Sequence, residues 1–290
     1  MTRIAVFGTG IMGAPIARNL AAAGHDVVVW NRSFDKAEAL AGPGVTPVRN
    51  AREAARGADA AILMVSTGAV CDTLLFGDDG IAEALPRGSA VVAMSSIPVE
   101  TARAEAARLA DLGIDYVDAP VSGGERGAVA GTLTIMAGGA ADVVAKVAEW
   151  LAPVGRVTHV GPVGSGQLAK LANQLIVGVT IGAVAEALLL VDAGGGDAEA
   201  VHRALQGGFA DSTIWRQHGE RMIRGDFQPG AHATVQLKDL DTSTGLAGSL
   251  GLELPFAGLA RDLYAKMCEG PRAALDHSAL YLELAERRNG

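Results

Sequence analysis

The sequence predicts an α/β protein: a Rossmann N-terminal domain with a mostly parallel sheet, a long interdomain helix and an all-α C-terminal domain. Two observations carry this. Over the first 160 residues, short β-branched runs alternate with alanine-rich amphipathic segments, the pattern of βαβ units around a parallel sheet. Beyond the turn-rich stretch Val160-Gly161-Pro162-Val163-Gly164-Ser165-Gly166, strand signals nearly vanish. The chain therefore divides into an α/β domain over 1–162 and a helical domain over 163–290.

Taken in order, Ile4 to Phe7, Asp26 to Trp30, Ala60 to Val65, Ala90 to Met94, Tyr116 to Ala119 and Thr132 to Ala137 read as strands, most of them bounded by Gly, Pro, Asn or Ser. Pro15 to Ala23 and Val99 to Leu112, rich in Ala, Leu, Glu and Arg, read as helices. Gln167 to Ala193 reads as one long helix closed by Gly194-Gly195-Gly196, since glycine adopts the left-handed conformation that ends helices. Its apolar stretch Leu175 to Val191, interrupted by Thr180 and Glu186, falls short of the roughly 20 residues that span a bilayer and reads as a buried helix. A second subunit is expected to supply part of its cover, so a homodimer or homotetramer is expected. Further helices are expected at Ala198 to Gln206, Thr213 to Arg224, Thr234 to Leu250, Phe256 to Glu269 and Ser278 to Arg287.

Composition narrows the class. The chain has 290 residues, 49% of them hydrophobic, enough for a core in each of two domains, and this excludes intrinsic disorder. With 32 acidic against 24 basic side chains and no basic tract, it carries no footprint for nucleic acid or an anionic membrane, although one phosphorylated small ligand is compatible. Cys71 and Cys268 form neither a C-x-x-C nor a zinc spacing. A reducing cytoplasm is the expected compartment, because the N-terminal run Met1 to Phe7 passes straight into glycines without the apolar core of a signal peptide. No histidine pair has metal-ligand spacing in the sequence, and no metal is expected.

The first strand runs into Gly8-Thr9-Gly10-Ile11-Met12-Gly13, followed by a helix. This is G-x-G-x-x-G in its required context. The first glycine permits a tight turn, the second lets the backbone approach a pyrophosphate, and the third allows close helix packing, with the anion at the helix N-terminus. Where a cofactor without a 2′-phosphate would want an acidic residue, the second strand ends Trp30-Asn31-Arg32-Ser33. A guanidinium flanked by two small hydrogen-bonding side chains suits a phosphate, so NADP is favoured, with NAD possible. Ser33 can also serve as an N-cap for the next helix. Ser122-Gly123-Gly124 follows a strand at the carboxyl edge of the sheet, where its hydroxyl and backbone N–H groups can bind a carboxylate.

GTGIMGAPIARNL at the N-terminus, DAPVSGG at Asp118 to Gly124, GSGQLAKLANQ at Gly164 to Gln174 and KDL at Lys238 to Leu240 together resemble the β-hydroxyacid dehydrogenase family. The four motifs stand in the family's order and span almost the whole chain. The resemblance implies reversible hydride transfer between a nicotinamide and a small 3-hydroxy acid or its semialdehyde. It also makes Lys170, otherwise a surface lysine by default, the general acid and base. Reducing an aldehyde needs a proton donor to the developing alkoxide, and burial lowers a lysine's pKa toward a useful range. By the same resemblance Asn173 orients the substrate, Ser122-Gly123-Gly124 holds its carboxylate, Lys238 approaches the cofactor, and Met64-Val65-Ser66 and Ser95-Ser96 form the turns that line the cofactor, with Ser96 where a serine or threonine is usual. Ser66 stands where relatives often carry proline.

Less specific segments, Gly207 to Ala210, His218 to Met222, Asn173-Gln174 and Leu275 to Leu280, point within the family to reduction of tartronate semialdehyde to glycerate. Alternatives are 3-hydroxyisobutyrate, L-serine, glyoxylate and succinic semialdehyde. Phe209 is compatible with a core position, His218 with an exposed helix and His277 with a cap. A catalytically silent dinucleotide-binding module is the alternative from another class. Such a module should have lost the lysine or the carboxylate loop, and both are present.

Overall fold

The computed structural model describes residues 1–287, in two compact units, Met1–Lys170 and Leu171 onward. In the first unit the strands are β1 (Arg3–Phe7), β2 (Asp26–Trp30), β3 (Val45–Pro47), β4 (Ala60–Leu63), β5 (Ala90–Ala93), β6 (Asp115–Asp118), β7 (Val121–Ser122), β8 (Leu133–Gly138) and β9 (Gly155–Gly161). They lie in the order β3-β2-β1-β4-β5-β6-β8-β7, with β9 beside β8. All pairings from β3 to β6 are parallel, whereas β8 runs antiparallel to β6 and β7. The order reverses at β1, whose neighbours are β2 and β4, and such a switch point is where open parallel sheets bind ligands.

Alternation along the strands builds two apolar layers. Ile4, Val6, Val27, Val29, Ile62 and Val92 face one way, packing with Ile16 and Leu20 of α1 (Gly13–Ala22) and Val144 and Val147 of α7 (Ala141–Leu151). Ala5, Phe7, Val28, Leu63, Val91 and Ala93 face the other way. They pack with Ala54 of α3 (Ala51–Ala55), Leu74 and Leu75 of α4 (Gly68–Phe76) and Leu109 of α5 (Val99–Asp111). Short helices α2 (Phe34–Glu38) and α6 (Gly124–Ala130) complete the unit. All six expected strands are present. Three more, β3, β7 and β9, gave no sequence signal: two are three residues or shorter, and β9 alternates Arg156, Thr158 and His159 with its apolar residues.

The helical half follows α8 (Ser165–Ala193), α9 (Ala198–Ala204), α10 (Glu220–Arg224), α11 (Ala233–Ser249), α12 (Pro255–Cys268) and α13 (Leu280–Glu286). Ile181, Val184, Ala185 and Leu188 of α8 pack with Trp215, Leu240, Tyr264 and Leu280. The long helix is present, but the expectation that it is buried is corrected here. α8 has 29 residues, and only 28% of its most apolar 18-residue window is buried. Helices cover one side of it, leaving Ile176 61% and Leu190 74% exposed. By length and composition α8 is the one helix among the described residues that could cross a membrane. The segment expected as one helix from Thr213 to Arg224 contains a π-helical turn at Trp215–Gly219 before α10. Phe209 is fully exposed, so its compatibility with a core position is overturned.

Candidate active site

The turn between β1 and α1 explains its three glycines separately. Gly8 has φ +98°, and a Cβ there would lie 2.3 Å from the Met64 carbonyl oxygen. A Cβ on Gly13 would meet the Gly8 carbonyl oxygen at 1.8 Å. These two are demanded by the fold. Gly10 is different, because a Cβ there would meet nothing within 4 Å. The protein leaves open space over the backbone at that point, which fits a ligand drawn close to it, as a pyrophosphate is. The first turn of α1 holds no acidic residue, which leaves the positive end of the helix for an anion. Thr9 is buried, while Ile11 is 70% exposed and Met12 stands at the helix start.

Asn31 braces this turn from the end of β2. Its side-chain oxygen accepts from Thr9 N at 3.1 Å, and its amide donates to the Ser33 carbonyl at 3.0 Å. Asn31 therefore shapes the cofactor turn with the groups that the sequence offered to a phosphate. Arg32 and Ser33 are exposed beside it. Ser33 occupies the N-cap position of α2, but its side chain makes no capping hydrogen bond.

The turns after β4 and β5 are tied together through Ser95, the neighbour of Ser96 in the second of the two turns that the resemblance assigns to the cofactor. The Ser95 hydroxyl accepts from Val65 N at 2.8 Å and donates to the Leu63 carbonyl at 3.2 Å. Met64 and Val65 are half-buried, as is Ser96. Gln167, in the first turn of α8 and 1% exposed, clamps the second turn: Ile97 N donates to its oxygen at 3.1 Å and its amide donates to the Ser95 carbonyl at 2.9 Å. Asp118 anchors the same helix start, accepting from Gly164 N at 2.7 Å and Gln167 N at 2.8 Å. Burial pushes its pKa up to about 6, against the pull of those bonds. Gln167 and Asp118 lie inside the family motifs. Only three-dimensional proximity shows that one holds the other.

Beyond Asp118 the chain turns into Val121-Ser122 and then Gly123 and Gly124, whose φ values of +130° and +58° turn the loop. Ser122 is half-buried and both glycines are exposed. Lys170 reaches this loop, its ammonium donating to the Val121 carbonyl at 2.9 Å. A cation and proton donor therefore stands beside a hydroxyl and turned backbone, an arrangement able to hold a carboxylate and protonate an oxygen.

In the C-terminal unit, Asn173 and Lys238 are joined by a hydrogen-bonded chain. Asn173 donates to the Gln174 side-chain oxygen at 2.8 Å, Gln174 donates to Asp239 at 2.7 Å, and Lys238 pairs with Asp239 at 3.2 Å. Gln236 donates to the Gln174 carbonyl at 2.9 Å. Asp239 is 4% exposed, so the negative charge on which both Gln174 and Lys238 converge is buried. Asp239 is a site candidate that the sequence left unnamed although it lies in the quoted motif.

The fold also brings together histidines that stand 59 residues apart. His218 and His277 share a hydrogen bond between their Nε2 atoms at 2.8 Å, and with Asp276 their ligand atoms lie within 4.8 Å of one another. Both histidines depart from their expected settings: His218 is half-buried, and it is Asp276 that caps the turn. The donor set does not fit a divalent cation, because both Asp276 oxygens are already committed. One accepts from Ser278 N and Oγ, the other from Gly230 N and Ala231 N, with Arg221 at 3.7 Å. Burial pushes the His277 pKa down to about 4.

Residues 3–161 match the family described as the NAD binding domain of 6-phosphogluconate dehydrogenase. Residues 164–284 match the one described as NAD-binding of NADP-dependent 3-hydroxyisobutyrate dehydrogenase. The chain is 42% identical over 280 residues to 2-hydroxy-3-oxopropionate reductase of Escherichia coli, covering 96% of this chain and 95% of that protein. It belongs to the β-hydroxyacid dehydrogenase family. This β-hydroxyacid dehydrogenase is also 34% identical over 288 residues to an NAD-dependent L-serine dehydrogenase of Pseudomonas aeruginosa, covering 97% of each chain. Its fold matches the solved structure of Mycobacterium tuberculosis 3-hydroxyisobutyrate dehydrogenase with L-serine at a TM-score of 0.88 and 33% identity, over 98% and 99% of the two chains. As a member of that family it is an NAD(P)-dependent oxidoreductase acting on a CH–OH group.

Proposed function

We propose that this β-hydroxyacid dehydrogenase is an NADP(H)-dependent reductase that converts tartronate semialdehyde to glycerate, with Lys170 as general acid and base. The contact between Lys170 and Val121 carries the mechanistic part, since it puts an ammonium at the serine and glycine loop. The likeness to 2-hydroxy-3-oxopropionate reductase supports the substrate. A bound reduced nicotinamide supplies the hydride that the aldehyde carbon accepts. Lys170 gives the alkoxide oxygen its proton and removes it in the reverse direction. Ser122, Gly123 and Gly124 hold the carboxylate, and Asn173, oriented through Gln174, fixes substrate and lysine. Gly8, Thr9, Gly10, Ile11, Met12 and Gly13 hold the pyrophosphate. Arg32 and Ser33 hold the adenosine ribose with its 2′-phosphate, Asn31 serves the cofactor by shaping the turn through its bonds to Thr9 and Ser33, Met64, Val65 and Ser96 line the cofactor, and Lys238 contacts it. The exposed apolar face of α8, with Ile176 and Leu190, supports a homodimer or homotetramer, and the unpaired Cys71 and Cys268 support a reducing cytoplasm.

The test is the rate of NADPH and, separately, NADH oxidation with tartronate semialdehyde, glyoxylate, succinic semialdehyde and methylmalonate semialdehyde. A kcat/KM of about 10⁴ M⁻¹s⁻¹ or more with NADPH, for tartronate semialdehyde alone, is the expected result. Feeble rates on all four overturn the substrate assignment. The second reading is L-serine oxidation, favoured by the serine dehydrogenase relative, and L-serine turnover above the semialdehyde rate would establish it.

A further inference from the structure

β2 and β3 are parallel and pair Val29 with Pro47, so the chain leaves both strands at one edge of the sheet. The pairing continues past the strands. Val48 N donates to the Val29 carbonyl at 3.0 Å, and the Trp30 indole donates to the Arg49 carbonyl at 3.2 Å. Arg49 is thereby pinned by its backbone beside the strand end that carries Asn31, Arg32 and Ser33. Its side chain is pinned as well. The guanidinium carbon lies 3.8 Å from the centroid of the Phe34 ring, and Phe34 directly follows Ser33 as the first residue of α2. A guanidinium stacked by one face on an aromatic ring keeps its N–H edge for a bidentate acceptor.

Charge points the same way. Arg32 and Arg49 are both exposed, and neither takes part in an ion pair among the described residues. Arg52, three residues on, is by contrast spent on the Gly80 carbonyl and Glu83. Two unneutralised cations held at one sheet edge of a chain with net charge −8 repel each other, and an anion between them reverses that cost.

We infer that Arg49 is the second cation of the 2′-phosphate site, clasping with Arg32 the phosphate monoester that distinguishes NADP from NAD. Trp30 and Phe34 act as positioning residues for it, through its carbonyl and its guanidinium face. The inference rests on the NADP reading above and adds to it a specificity-determining residue just past the end of a different strand. Sequence spacing from the glycine turn leads only to the end of β2. Arg49 follows a three-residue strand that the sequence does not announce.

The experiment is calorimetric titration of the unaltered protein, R49Q and R49K with NADP⁺, NAD⁺ and 2′,5′-ADP, so that binding is read without turnover. R49Q should weaken NADP⁺ and 2′,5′-ADP about 10- to 100-fold, the range of one charge-assisted hydrogen bond, and leave NAD⁺ unchanged. R49K should recover part of the loss, since it restores the charge without the fork. If the unaltered protein prefers NADP⁺ and R49Q keeps that preference, the inference about Arg49 falls while the NADP reading stands. Equal weakening of NADP⁺ and NAD⁺ also overturns it, because the arginine would then serve the adenosine or the local fold. An unaltered protein that binds NAD⁺ as tightly as NADP⁺ overturns both readings.

Discussion

Lys170 Nζ lies 2.9 Å from the carbonyl oxygen of Val121 and donates a hydrogen bond to it, so the first turns of α8 deliver their cation to the loop that ends in Ser122, Gly123 and Gly124. Position alone does not say whether the lysine acts as a charge or as a proton donor. Two variants separate these roles. Lys170→Ala should reduce kcat by about 100-fold or more, the scale of general acid catalysis, and leave cofactor affinity nearly intact. Lys170→Arg keeps the charge but cannot release a proton, and should be about as slow. A near-normal kcat in K170R would leave the lysine an electrostatic role only.

The glycine turn yields a prediction in which two similar substitutions part company. Gly13→Ala would place a Cβ 1.8 Å from the Gly8 carbonyl oxygen, so α1 must move off the turn. Overpacking of that kind costs about 1–3 kcal/mol or more, and the thermal midpoint of the ligand-free protein should fall. Gly10→Ala meets no protein atom within 4 Å and should leave that midpoint unchanged while weakening dinucleotide binding about tenfold or more. If G10A binds NADP⁺ as the unaltered protein does, the second glycine has no part in holding the pyrophosphate.

The contrast between Gly10 and Gly13 also shows what could be read in advance. The sequence named all three glycines because their spacing repeats a local backbone geometry, and local geometry is what a motif records. Strands buried on both faces, such as Ala60–Leu63 and Ala90–Ala93, were legible for the same reason: an unbroken apolar run between turn residues has few other solutions. Arg49 and the His218–His277 pair were not legible. Each acquires its role from a partner in another element, His277 from a residue 59 positions away, and no periodicity encodes such a meeting. α8 was misjudged from the opposite cause. Its composition does describe an apolar helix, but how much of it is covered depends on the number of helices that pack around it.

Glu105 shows how a buried acid of the α/β unit should respond to pH. It is 1% exposed, accepts from the Tyr116 hydroxyl at 2.7 Å, and its other oxygen has no partner. Burial pushes its pKa up from 4.5 to about 7, with Asp72 adding to the rise and the Tyr116 bond and Arg108 opposing it. Between these two values the folded protein holds a proton that the unfolded chain has released, so stability from this group grows as pH falls below 7 and is lost above it. Glu105→Gln keeps an acceptor for Tyr116 and cannot ionise. The thermal midpoint of E105Q relative to the unaltered protein should therefore be higher at pH 8 than at pH 5. A difference that is flat across that range would mean that Glu105 ionises in place without cost.

His277 acts with the opposite sign. Burial pushes its pKa down from 6.5 to about 4, with His218 and Arg221 adding to the fall and Asp276 and Asp239 opposing it. Its Nε2 contact with His218, whose own pKa burial also lowers, needs one ring to donate and the other to accept. Protonating both rings leaves two donors facing each other. Between pH 6.5 and 4 the unfolded chain binds a proton that folded His277 refuses, so its stabilising contribution is complete above 6.5 and is lost as pH falls toward 4, by about 3 kcal/mol. Glu105 and Asp118 work in the other direction over part of that window, and a bare stability profile would mix the three. The difference between the unaltered protein and His277→Asn removes the mixture, since both proteins share those carboxyls. The amide introduced by H277N keeps a donor and an acceptor for His218 and does not titrate. The thermal midpoint of the unaltered protein should fall relative to H277N as pH is lowered from 7 to 4.5, and parallel curves would show that the pair takes up its second proton without breaking.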